Sequence, residues 1–160
     1  MPTGESPPAT GEHTSRHAQI EALQTLSTAH LIKLAEMAAR NRLEAAIRVH
    51  RLSSGQLLLL TTLDRNGRMT PASLARHLHI TPQAMTTLLR PLDARGLLHR
   101  IEDETNRRRI LISLTADARD LLAQIQRITP DVDADIAAGL DPAQLANLRA
   151  LLAHVAIRSD

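Results

Sequence analysis

Two Thr-Pro pairs, Thr70-Pro71 and Thr81-Pro82, fix the layout of the middle of this chain. In each pair Thr suits a helix N-cap, and Pro takes the first helical position, where no N–H is required. Leu74, Ala75 and Leu78 give the first helix its apolar side, and only His79-Ile80 separates it from the second start. The two helices must therefore turn sharply against one another. In the second helix Met85, Leu88, Leu89 and Leu92 fall at i, i+3, i+4 and i+7, a full apolar stripe. The opposite face carries Gln83, Thr86, Thr87 and Arg90, and Gly96 is a natural C′ residue. Pro91 lies inside this helix and is expected to kink or loosen its last turn.

After Gly96 the period shortens. Residues 98–102 and 109–114 read as two strands, the second with β-branched Ile110 and Ile112, joined by a long charged tip at 103–108. Upstream, residues 16–51 hold no Pro or Gly and read as a long helix with a break near Asn41. Ser53 or Ser54 caps the next helix, whose four-Leu run at 57–60 predicts burial on most sides. Downstream, Thr115 caps a helix that Pro130 interrupts, and Asp141-Pro142 opens a last one. Residues 1–15, rich in Pro, Gly, Ser and Thr, read as a disordered arm.

Composition supports a mainly α fold with a small β-hairpin. Leu and Ala supply 51 of the 69 apolar residues, and β-branched residues are scarce. With no Phe, Tyr or Trp, modules that stack bases on aromatic rings are not expected. With no Cys, disulfides, thiolate metal sites and thiol-based redox sensing are excluded. Neither a signal peptide nor an apolar run of membrane-spanning length stands out, so no membrane association and a cytoplasmic location are expected.

The charge is uneven. Residues 65–109 carry nine Arg against four acids, net +5, while 1–64 are neutral and 110–160 are net −3. A basic block laid over a helix pair and a hairpin points to nucleic acid. The second helix of a helix-turn-helix buries one face and offers the other to the major groove. There Gln bonds adenine, Arg bonds guanine, and a Thr methyl meets a thymine methyl. Arg107, Arg108 and Arg109 beside a hairpin tip need solvent or anions, and a phosphate backbone or narrow minor groove supplies anions. Ser73, on the first helix of the pair, completes the expected DNA contacts.

The stretch from LSSGQLLLLTTL through TPASLARHLHITPQAMTTLLRPLDARGLLHR to RRILISLTADARDLL resembles the MarR family of bacterial winged-helix regulators. The resemblance implies a winged helix-turn-helix with a helical dimerisation layer. It implies a homodimer on a palindromic double-stranded operator, and a ligand cleft between the dimer layer and each DNA-binding lobe. It assigns 16–51 to an N-terminal dimerisation helix, 52–114 to the winged domain and 115–160 to C-terminal dimerisation helices. Thr86 matches the family's recognition-helix Thr, and Thr87 a position often held by Arg. Arg108 matches the wing Arg of an Asp-x-Arg motif whose Asp is Asn106 here, so the usual ion pair is expected to be missing.

The expected function is a sequence-specific transcriptional regulator, a repressor released by a small phenolic or anionic ligand. The alternative is a winged-helix protein–protein interaction module without specific DNA binding. His30, Arg48 and His50 are the candidates for ligand binding. The only His-x-x-x-His spacing, His13 with His17, lies in or beside the arm, and Asp131, Asp133 and Asp135 lack the glycine and closing Glu of a calcium loop. No metal, no cofactor and no enzyme activity are expected.

Overall fold

The computed structural model describes residues 18–103 and 106–157, without the side chains of Asp103, Arg107, Arg108 and Ile157. The expected arm, with His13 and His17, lies outside the described residues. Two compact units divide the chain, Met1–Asn41 and Arg42–Asp160.

In the first unit a helix over residues 18–24 (α1) is followed by α2, Thr28–Ile47, which continues into the second unit. The break falls at residues 25–27, and α2 runs unbroken through Asn41, where the sequence suggested an interruption. The cause is local hydrogen bonding. The Thr25 hydroxyl donates to the Ala22 carbonyl (2.8 Å), and the Ser27 hydroxyl accepts from the His30 N–H (3.4 Å) as an N-cap.

In the second unit a 3₁₀ turn, Arg48–His50, ends at Arg51 in the left-handed region (φ 53°). Helix α3, Ser54–Asn66, opens with a capping box: the Gln56 N–H donates to the Ser53 hydroxyl, and the Gln56 side chain accepts from the Ser53 N–H. The Ser54 hydroxyl donates to the Glu44 carboxylate at 2.7 Å, which fastens this start to α2. Of the four leucines at 57–60, Leu59 and Leu60 are fully buried but Leu58 is 55% exposed. The run is therefore not enclosed on most sides: α3 packs against its neighbours through one face, and Leu58 points off it.

Helices α4 (Pro71–His77) and α5 (Pro82–Ala94) form the sharp pair. Thr70 and Thr81 are their N-caps, accepting from the Ser73 and Ala84 N–H groups at 3.1 Å each. The turn between them has His79 at φ 51°, with the Ile80 N–H bonded to the Ala75 carbonyl. This is a Schellman closure with His where Gly is usual.

Strands β1 (Leu98–Asp103) and β2 (Asn106–Leu114) make the hairpin. Met69 and Ile112 add a third, minimal strand by exchanging both backbone hydrogen bonds, at 3.1 and 2.8 Å. Helix α6, Ala116–Ile136, is capped by Thr115, and α7, Pro142–Ile157, by Asp141, whose carboxylate accepts from the Ala143 and Gln144 N–H groups.

Neither internal proline ends a helix. Pro91 is followed by three more helical residues in α5, and Pro130 by six in α6, which it does not interrupt. Both are exposed, as are Thr87 and Gln126, whose carbonyls lose their i+4 donor. Solvent can satisfy a carbonyl on that face, so the helix continues.

The core is built mainly from aliphatic side chains. Ile47, Leu59, Leu60, Leu74, Leu92 and Ile112 are fully buried at its centre, joined by Met85, Leu89 and Leu122.

Candidate nucleic-acid interface

Helix α5 carries the amphipathic pattern read from the sequence. Met85, Leu89 and Leu92 are buried and Leu88 half-buried, while Gln83, Thr86, Thr87 and Arg90 are all exposed. The sharp turn before α5 and the core beneath it hold this polar face outward. At its N-terminus Pro82 has no N–H and Thr81 engages that of Ala84, so the Gln83 N–H has no partner among the described residues. The Thr86 and Thr87 hydroxyls donate back along the helix, to the Pro82 and Gln83 carbonyls at 3.0 and 3.1 Å.

The C-terminal end of α5 is closed by Gly96 (φ 66°) and by a bond from the Leu97 N–H to the Leu92 carbonyl. This reversal sends β1 back beside the helix and brings Arg100 onto Asp93, Nη2 to Oδ2 at 2.5 Å. Donating to the Asp93 carboxylate raises the Arg100 pKa above its ordinary value. Arg95 donates to the Arg51 carbonyl at 2.9 Å. Neither interaction is among those expected from the sequence. The Gly96 reversal, with Asp93 and Arg100 on either side of it, is the signal that could have revealed the first.

The wing differs from its expected form. Asp103 pairs with Asn106 and Glu102 with Ile110, so the ladder slips between Glu102 and Asp103. Among the described residues none pairs with 107–109, which stand as a bulge in the ladder. The arginine run belongs to β2, not to a long tip. Arg109 and Asn106 are exposed, while the side chains of Arg107 and Arg108 lie outside the described residues. Ser73 is half-buried on α4.

His30 is exposed with Nδ1 2.7 Å from the Ser27 hydroxyl, Arg48 is exposed, and His50 is half-buried in the 3₁₀ turn. A polar cavity of about 390 Å³ lies at the root of the wing, lined by Asp64, Arg68, His99, Ser113 and Arg119 among others. No group of three or more His, Cys, Asp or Glu suited to a metal occurs among the described residues.

The family model described as "MarR family" matches residues 52–110, the segment from the start of α3 through the arginine bulge. The HTH-type transcriptional repressor Rv2887 of Mycobacterium tuberculosis is 30% identical over 113 residues, covering 71% of this chain and 81% of that protein. The chain belongs to the MarR family. Solved MarR-family structures share its fold. A mutant of E. coli MarR complexed with operator DNA superposes with a TM-score of 0.75 at 20% identity, covering 83% of this chain and 96% of that one. Bordetella bronchiseptica BpsR, described with regulation of its DNA binding by 6-hydroxynicotinic acid, gives 0.75 at 23% identity over 84% and 95%. This MarR-family chain is thus a DNA-binding transcriptional regulator with a winged helix. Among the described residues no helix is long and apolar enough to cross a membrane.

Proposed function

We propose that the chain acts in the cytoplasm as a homodimeric, sequence-specific repressor that a small anionic or phenolic ligand releases from a palindromic operator. The observation that carries this reading is the outward polar face of α5, held over a buried Met85–Leu89–Leu92 stripe. Gln83, Thr86, Thr87 and Arg90 enter the major groove, Ser73 and the Gln83 N–H hold phosphates, and Arg107, Arg108 and Arg109 grip the backbone or minor groove beside it.

Two features support the dimer. Leu148, Leu151, Leu152 and Val155 of α7 are 38–56% exposed, and Ile20, Leu23, Ile32, Leu34 and Met37 of α1 and α2 are 39–46% exposed. Apolar helix faces of this extent suit a subunit interface. The helices on either side of the winged domain then form the dimerisation layer.

The structural relative regulated by 6-hydroxynicotinic acid, a hydroxylated aromatic acid, supports an effector of that class. Its partners here come either from Arg48 and His50, or from Arg68, His99 and Arg119 at the root of the wing.

A titration of the upstream DNA of its own gene tests the reading. Tight, salt-dependent binding of one dimer per palindrome is expected, with half-sites about one helical turn apart. Equal affinity for unrelated duplexes would contradict it. Hydroxylated aromatic acids should release the DNA, and Arg119→Ala against Arg48→Ala tells which group holds them.

A further inference from the structure

Gln83, Thr86, Thr87, Arg90, Pro91 and Ala94 recur at three- and four-residue steps, and all are exposed, so they form one stripe along α5. The stripe changes character along its length. Beyond Gln83, the side chains of Thr86, Thr87, Arg90, Pro91 and Ala94 line a shallow hollow of about 380 Å³ whose walls are mainly carbon. Both threonine hydroxyl protons are engaged by the carbonyls one turn back. What these residues offer outward is a methyl group and acceptor lone pairs. Pro91 adds ring methylenes and no N–H, and Ala94 adds a methyl. Only Arg90, at the rim, can donate.

Folding does not call for this arrangement. A proline inside a helix forfeits one backbone bond and crowds the preceding turn, at a cost in stability. The Pro91 ring is exposed, so burial in the core does not offset that cost.

We propose that this hollow reads the 5-methyl group of thymine in the major groove, with Thr87 and Pro91 as its specificity-determining residues. The inference rests on the proposed DNA-reading role of α5 and names the chemistry it selects. Thymine alone among the four bases shows a methyl group on its major-groove edge. Guanine shows two acceptors there, which call for donors that neither the threonines nor Pro91 can supply.

The test uses the full chain and the duplex it selects from a random pool. Each thymine is replaced in turn by deoxyuridine, which deletes only the methyl. One thymine per half-site should lose about fourfold in affinity, and the symmetric pair about sixteenfold. Thr87→Ser removes the protein methyl and keeps the hydroxyl bond. Pro91→Ala returns an N–H to the Thr87 carbonyl and should melt no lower than the parent. Both variants should bind thymine and uracil duplexes more nearly alike. If the parent binds both alike at every position, or if the variants discriminate as it does, the hollow is not a methyl reader, while the DNA-reading role of α5 stands. If no sequence is enriched from the pool, that role fails and this inference with it.

Discussion

The Arg100 guanidinium closes onto the Asp93 carboxylate through Nη2 at 2.5 Å and Nε at 3.4 Å, tying the first strand of the wing to the last turn of α5. A half-exposed pair of this kind contributes at most about 1 kcal/mol to stability. Its consequence is geometric: α5, proposed to enter the major groove, and the hairpin are held at a fixed offset. Asp93→Ala combined with Arg100→Ala should therefore leave the melting temperature within a few degrees of the parent and weaken operator binding several-fold. A fall in stability that accounts for the whole loss of binding would remove this role.

On the proposed function, the arginines at 107–109 supply sequence-independent affinity. Replacing Arg107 and Arg108 with Ala should weaken binding to operator and random duplexes alike. The slope of log affinity against log salt should flatten by nearly two for each wing that contacts DNA. Titrations across a range of salt measure it, and an unchanged slope would take the wing out of the interface.

Gln83 and Arg90 should behave differently. Gln83→Ala or Arg90→Ala removes a side chain able to bond a base edge bidentately, and should relax the preference for particular base pairs by about 1–3 kcal/mol. Affinity for random DNA should fall much less. Selection from a random pool with each variant shows which base positions become less defined.

Much of this arrangement was legible in the sequence because its signals are local. The Thr-Pro caps at 70 and 81, the Met85–Leu92 stripe and Gly96 each act over one or two turns, and each appears as expected. What was not legible depends on partners distant in the chain or on solvent. Met69 becomes a strand only because Ile112 is there to pair with it. The slip at Glu102 is a choice between registers that composition does not make. The outcomes at Pro91 and Pro130 turn on which helix face meets water, a property of the packed molecule.

The turn inside the helix pair stores strain at a single residue. His79 adopts φ 51°, where an L side chain is disfavoured and glycine is not. His79→Gly should raise the unfolding free energy by about 0.5–1 kcal/mol, after allowing for the added freedom of the unfolded chain. Urea unfolding should show a higher midpoint at an unchanged slope. A lower midpoint would mean that the imidazole stabilises the turn by more than its backbone costs.

The natural absence of cysteine allows the placement of α5 in the major groove to be tested most directly. Thr87→Cys creates a single thiol on the exposed face of α5, to which an iron chelate that cleaves DNA can be tethered. Cuts confined to the major groove of each half-site, and placed symmetrically about the operator centre, are predicted. Cuts scattered without regard to sequence, or a complex that forms and is not cut there, would contradict that placement.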